Sequence, residues 1–241
     1  MRVLITGTTS GIGKTIMNHF IELNYEVYTI NRKNINNNNN ITNYVCDLSD
    51  INQVQELIKT IDKLDIDILI NNAGAGYPSK IENISLDSIY YETNLNFLTP
   101  YLLIQNIYPK MIKKKYGRII NISSISSKRG TPYLYTYSAT KAALDSLTQS
   151  IASTASNYGF TINSICPGGI DTNMSINGRI EISNLKNMKD NEYQNGMINE
   201  MCLGKLIPTK SVVYLIDYLL SEEANCISGQ SINICGALEV K

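Results

Sequence analysis

The sequence predicts an α/β fold: a doubly wound parallel sheet of about seven strands, with helices on both faces and one domain spanning residues 1–241. Three observations predict it. Short apolar runs alternate with helix-length stretches, the pattern of βαβ units. The first apolar run leads straight into a glycine-rich turn that opens a helical stretch. No linker-like shift of composition and no internal repeat divides the chain.

The elements follow in order. Arg2–Thr6 reads as a buried strand, Gly11–Leu23 as a helix, Glu26–Ile30 and Asn43–Cys46 as the second and third strands. Ser49 can cap a helix that runs to about Ile61, and Asp67–Ile70 is a fourth strand. A helical stretch covers Leu86–Lys114, where Pro100 and Pro109 should kink or divide it. Gly117–Ile122 is a fifth strand, Leu134–Asn157 a long helix, Phe160–Ile165 a sixth strand, Val212–Leu220 a late helix and Ser231–Ile234 a seventh strand. The asparagine run Asn36–Asn40 is a polar loop without functional weight. Asn173–Met201 is polar, rich in Asn and Met, and weakly periodic, which predicts a long loop, either a substrate lid or a mobile surface loop.

Composition excludes several classes of function. The net charge is zero and the pI about 6.6, so there is no electrostatic excess for nucleic acid or a membrane surface. No apolar run reaches the roughly 18 residues that span a bilayer, and the N-terminus enters a glycine turn too soon for a signal peptide. The five cysteines (46, 166, 202, 226, 235) contain no C-x-x-C pair, which suits a reducing, cytoplasmic setting and argues against a zinc site. The single histidine, His19, sits among Ile12, Ile16, Phe20 and Leu23. It reads as a half-buried helix residue, and its solitude excludes any site that needs two histidines.

The turn Thr6-Gly7-Thr8-Thr9-Ser10-Gly11-Ile12-Gly13 lies between a strand and a helix. Glycines let backbone N–H groups approach a pyrophosphate, and the helix N-terminus adds partial positive charge. The spacing is G-x-x-x-G-x-G. It is not a nucleotide triphosphatase loop, because the first glycine of that motif would fall on Thr8.

This spacing resembles the cofactor turn of the short-chain dehydrogenase/reductase family, and three further landmarks stand in the family's order. They are Asn71-Asn72-Ala73-Gly74 after the fourth strand, Ser124 after the fifth, and Tyr137-Ser138-Ala139-Thr140-Lys141 at the start of the long helix. The resemblance runs from Val3 to about Gly236, and is nearest to the 3-oxoacyl-acyl-carrier-protein reductases. It implies a Rossmann-type fold, a nicotinamide cofactor, and hydride transfer to or from a carbonyl or secondary alcohol.

Tyr137 and Lys141 are four residues apart on a helix and so share a face. A phenol titrates near ~10, and a neighbouring ammonium favours its ionised form. This makes an acid–base group without histidine, although Tyr-x-x-x-Lys also occurs as an ordinary helix face. The resemblance implies that Tyr137 donates the proton, that Lys141 also holds the nicotinamide ribose, and that Ser124, thirteen residues before Tyr137, hydrogen-bonds the substrate oxygen. Ser123 is the neighbouring alternative. Asn94 matches the family asparagine that helps to hold a relay water, and its other reading is a helix-interior amide.

For the cofactor, the resemblance implies contacts from Gly7, Ser10, Gly11, Ile12 and Gly13, from Asp47 and Leu48 beside the adenine, and from Asn72, Ala73 and Gly74 along the ribose. It implies contacts also from Pro167, Gly168, Ile170 and Thr172 after the sixth strand. The second strand ends in Asn31-Arg32-Lys33 without a carboxylate. An acid there would favour NAD, whereas Arg32 can fork a 2′-phosphate. NADP(H) is therefore expected, with NAD(H) as the alternative and plain loop charges as the bland reading. The expected partners are a small-molecule or carrier-bound carbonyl substrate and further copies of the chain, as a homotetramer or homodimer, with neither nucleic acid nor membrane. Cys235-Gly236 and Lys210 depart from the family in regions its members use for subunit contacts. An NAD-dependent alcohol dehydrogenase, an epimerase and a nucleotide sensor on the same scaffold are the competing functions.

Overall fold

Val3, Leu4 and Ile5 are fully buried, as are Ile68, Leu69 and Ile70. Strands buried on both faces belong to a parallel sheet covered by helices on both sides. The computed structural model describes residues 1–35, 40–155 and 159–240. Its strands are Arg2–Thr6 (β1), Glu26–Asn31 (β2), Ile41–Val45 (β3), Ile68–Asn71 (β4), Gly117–Ile122 (β5), Phe160–Pro167 (β6) and Ser231–Ile234 (β7). They form one parallel sheet in the order β3-β2-β1-β4-β5-β6-β7.

The helices are Gly11–Glu22 (α1), Ile51–Ile61 (α2), Leu86–Thr93 (α3), Thr99–Lys114 (α4), Tyr135–Ala155 (α5), Asn173–Leu185 (α6), Asp190–Glu200 (α7) and Lys210–Leu220 (α8). Side chains alternate across the sheet. Leu4, Leu69, Ile119 and Ile162 face Val54, Leu57, Leu103 and Met111 on one side. Val3, Ile5, Ile70 and Ile120 face Ile16, Phe20, Val212 and Ile216 on the other. His19 joins the two helices on that second face through its ring nitrogen, 2.7 Å from Asp217 Oδ1.

The strand order reverses at β1, whose two neighbours are β2 and β4. The loops after these strands diverge to opposite faces and leave a crevice at their carboxyl ends, where ligands bind in sheets of this kind. That crevice is where the predicted site residues gather.

Three expectations are corrected. Asp50, not Ser49, caps α2, its carboxylate accepting from the N–H groups of Asn52 and Gln53. The carboxylate accepts better than a hydroxyl, and Ser49 spends its own hydroxyl on Asp47, at 2.7 Å. The stretch 86–114 is divided by a wide π-type turn over Asn94–Leu98, closed by Thr99 N–H donating to Asn94 O, and not by proline. Pro100 occupies the first turn of α4, directly after the wide turn, and Pro109 is carried inside the helix. Finally, 173–201 is not a loop but the pair α6 and α7. Only Arg179, Ile182 and Ser183 of α6 are buried, and no residue of α7, so neither helix has enough apolar face to show in the sequence. Residues 36–39 of the asparagine run and the end of the predicted long helix, 156–158, lie outside the described residues.

Candidate active site

The glycine turn is built by close contacts. Asn72 Nδ2 donates to Thr6 O at 3.0 Å and Gly7 O at 2.8 Å, and Thr6 Oγ1 accepts from the N–H groups of Asn72 and Ala73. A Cβ on Gly13 would lie 2.1 Å from Gly7 O and 2.4 Å from Asn72 Nδ2, so no larger residue fits. On the far side, Thr172 Cγ2 lies 3.4 Å from where a Cβ on Gly11 would be, which brings the loop after β6 against the turn. Ser10 makes no side-chain cap on α1, and the first turn contains no acid. Its leading N–H groups thus meet the cavity with no side-chain cap or first-turn acid in competition, a donor set that suits a pyrophosphate.

Arg32 and Lys33 line the same cavity at the end of β2. Arg32 Nη1 donates to Tyr91 Oη at 3.2 Å. Asn31 at the strand end is buried and accepts from Thr8 N–H at 2.7 Å, so it braces the turn. Leu48 lines the cavity but Asp47 does not. The Asp47 carboxylate is instead turned to the Ser49 N–H and hydroxyl at 3.0 and 2.7 Å, the local turn outcompeting the crevice.

Ser124, Tyr137 and Lys141 come together. Ser124 follows β5, is buried, and accepts from Ser126 N–H at 3.1 Å. Tyr137 and Lys141 share one turn of α5, with Lys141 Nζ 5.7 Å from the phenol ring centroid. All three line the crevice cavity with the glycine turn. Lys141 is buried and donates to Ile122 O at 2.8 Å, and burial pulls its ammonium down to about 8. Burial pushes the Tyr137 hydroxyl up to about 12, a hydrogen bond with Ser124 draws it back, and the nearby Glu92 and Cys166 push it further up. The expected depression by Lys141 does not govern the phenol in the chain alone. The ammonium points at a backbone carbonyl, and desolvation is the larger effect.

Asn94 and Asn96 separate clearly. Asn94 Nδ2 donates to Ser49 O at 3.0 Å, away from the tyrosine, as a helix amide bonded to backbone. Asn96 is the one turned inward. It is buried, and its amide accepts from Ala75 N–H at 2.9 Å and donates to Ala75 O at 2.8 Å and Thr140 Oγ1 at 3.2 Å. Asn96 Oδ1 and Lys141 Nζ flank Gly74, lying 3.1 and 3.2 Å from where its Cβ would be. The π-type turn adds a residue to the helical circuit and so changes which asparagine faces in. A regular helical period cannot reveal this.

The sequence model of the family described as "short chain dehydrogenase" matches residues 1–182. A putative ketoacyl reductase of granaticin polyketide synthesis from Streptomyces violaceoruber is 28% identical, covering 98% of this chain and 92% of its own. The 3-oxoacyl-acyl-carrier-protein reductase FabG of Rickettsia prowazekii is 30% identical, covering 98% and 95%. Among solved structures, 4-hydroxyisoleucine dehydrogenase complexed with NADH superimposes with a TM-score of 0.88 at 27% identity, covering 98% of each chain. This chain belongs to the short-chain dehydrogenase family.

As a short-chain dehydrogenase it is an oxidoreductase, and the remaining walls of its crevice are its own. The cavity measures about 1350 Å³ and extends from the glycine turn to α6 and α7. Pro167, Gly168, Ile170 and Thr172 line it, with Met174, Met188, Tyr193 and Met197 above. Ile170 is held by a bridge to Ile207. Glu92 is buried behind the phenol, with Oε1 accepting from Tyr77 N–H at 3.3 Å and Oε2 unpartnered among the described residues. Burial pushes its carboxyl up to about 7. Asn96, Glu92, Tyr91 and Arg179 stand in no motif, and nothing in the sequence marks them. No group of three potential metal-ligating side chains occurs among the described residues, and no helix there is long and apolar enough to cross a membrane.

Proposed function

We propose that this short-chain dehydrogenase reduces a ketone with NADPH, with Tyr137 as proton donor. The observation that carries the reading is the meeting of Ser124, Tyr137 and Lys141 in one cavity with an acid-free glycine turn. Gly7, Ser10, Gly11, Ile12 and Gly13 would hold the pyrophosphate, Asn72, Ala73 and Gly74 the adenosine ribose, and Leu48 the adenine. Pro167, Gly168, Ile170 and Thr172 would lie along the nicotinamide half. Asp47 supports this loop through Ser49 without entering the cavity. When bound, the nicotinamide supplies the hydride.

The chain's own groups manage the oxygen. Ser124 Oγ donates a hydrogen bond to the substrate carbonyl and holds it beside Tyr137 Oη. Tyr137 Oη gives its proton to that oxygen as negative charge develops there. Burial keeps the phenol protonated at neutral pH, the form that can donate, and the proton leaves only as charge builds on the substrate oxygen. Lys141 stabilises the phenolate left behind, and Asn96, in place of Asn94, steadies the ammonium from across Gly74. Arg32 and Lys33 favour NADPH by pairing with a 2′-phosphate. A related dehydrogenase is solved with NADH, so the two cofactors are to be compared directly in this enzyme.

A panel of ketones and 3-oxoacyl thioesters, followed by NADPH absorbance, tests the reaction. Turnover of at least one class with NADPH is expected, and its loss in Tyr137→Phe with cofactor binding intact. A Tyr137→Phe enzyme with undiminished turnover removes the mechanism.

A further inference from the structure

Two guanidinium groups and an ammonium line the part of the cavity beneath α6 and α7: Arg129, Arg179 and Lys186. Two of the three meet a carboxylate or a ring face. Arg129 Nη1 donates to Leu238 O at 2.9 Å, and its Nη2 lies 3.8 Å from Glu200. Lys186 Nζ rests 4.9 Å from the Tyr193 ring centroid.

Arg179 differs. It is 7% exposed, held inside by the buried face of α6 that continues through Ile182 and Ser183. Its one hydrogen bond is from Nη1 to Ser175 Oγ, at 2.6 Å, a neutral acceptor one turn earlier. No carboxylate stands within ion-pair distance among the described residues; Asp171 acts only from farther off. Its unused nitrogens are not sealed in protein, and Arg179 lines the cavity. A guanidinium has five N–H donors, and a buried charge left without a counter-charge is costly.

We propose that Arg179 receives a carboxylate of the substrate, so that the enzyme acts on a free oxo acid: its carboxylate lies in the guanidinium fork and its carbonyl beside Tyr137. The planar fork suits a planar, singly charged carboxylate. A doubly charged phosphate would be set against Glu181, Glu192 and Glu200, which line the same cavity. The assignment deepens the reductase reading and rests on it. The carbonyl carbon gains the hydride, the oxygen gains the Tyr137 proton, and the carboxylate leaves unchanged on a hydroxy acid.

The experiment pairs 4-oxopentanoate and 3-oxohexanoate with their methyl esters, using NADPH, in wild type, Arg179→Gln and Arg179→Lys. Wild type should favour each acid. In Arg179→Gln the ester-to-acid KM ratio should fall roughly 10- to 100-fold, the scale of a charge-assisted pair, and Arg179→Lys should fall between. Equal changes for acid and ester overturn the proposal. So does a weakened NADPH dissociation constant with the ratio unmoved, which would assign Arg179 to the cofactor. Malonate, which is not a ketone, separates this from the reaction itself. A saturable rise in the wild-type melting temperature that Arg179→Gln lacks supports the subsite even without turnover, whereas turnover without acid preference keeps the reaction and rejects the subsite.

Discussion

Tyr137 lies in surroundings that oppose ionisation: burial and the carboxyl of Glu92 push its hydroxyl up to about 12, against one hydrogen bond from Ser124. Removing the oxygen should leave the ring packing on Gly76, whose Cβ would lie 2.8 Å from it. Tyr137→Phe should therefore fold, bind NADPH and lose on the order of 10²–10⁴ in turnover, as single-turnover kinetics would measure. The two asparagines give a paired test. Asn96→Ala removes a buried amide with three partners and should cost about 1–3 kcal/mol of stability together with much of kcat. Asn94→Ala breaks only the bond to Ser49 O and should leave kcat within about twofold, a change of roughly 0.4 kcal/mol. A larger effect at Asn94 than at Asn96 would reverse the assignment. Glu92 carries a pH signature. Its carboxyl rises from 4.5 to about 7 in the folded chain, so between these values the native state binds more protons than the unfolded state and stability falls as pH rises. Glu92→Gln keeps the acceptor for Tyr77 N–H and removes the charge. Its advantage over wild type should grow by on the order of 1–3 kcal/mol from pH 4.5 to pH 8, read from urea denaturation at several pH values; a constant difference would contradict the buried charge.

At the scale of elements, the join of β1 to α1 depends on absent side chains. Gly13→Ala would put a methyl 2.1 Å from the carbonyl of Gly7, and backbone cannot move aside as a side chain tip can. The turn would shift, and NADPH affinity should weaken roughly 10- to 100-fold, as misplacements of about 1 Å do at sites of this kind, with circular dichroism little changed. Fluorescence titration of NADPH reads it. The same scale shows what the sequence made visible. The α5 pair Tyr137 and Lys141 was legible because one helical turn fixes their common face. The apolar strands were legible because burial on both faces leaves continuous runs such as Val3-Leu4-Ile5. The wide turn at Asn94–Leu98 was not, since one extra residue in a helical circuit leaves no trace in composition. Nor were α6 and α7, whose few buried residues produce hardly any periodicity.

For the molecule as a whole, the crevice spans the carboxyl ends of the sheet's central strands. The glycine turn, Arg32 and Asn72 follow β1, β2 and β4, and Ser124 follows β5, so a dinucleotide held there would bridge elements far apart in sequence. Ligand linkage then stabilises the entire fold. NADPH at about a hundred times its dissociation constant should add roughly 2.7 kcal/mol, or about 5–10 °C in melting temperature for a chain of this size. NADH at equal concentration should give a smaller shift, and Arg32→Ala should narrow the gap by weakening NADPH alone. Equal losses for the two cofactors would take the 2′-phosphate from Arg32.

By itself the sequence determined the succession of strands and helices, the glycine turn at the first of them, and the one-turn partnership of phenol and ammonium. Each of these is written in residues close together along the chain, where backbone geometry dictates who neighbours whom. The tertiary structure alone decided that Asn96 is buried against Ala75 and Thr140 while Asn94 bonds Ser49 O, that Asp47 turns to Ser49, and that Arg179 is buried with no carboxylate in ion-pair distance among the described residues. These depend on which elements the sheet brings side by side, and on how much water their packing removes, quantities that no local pattern of residues encodes.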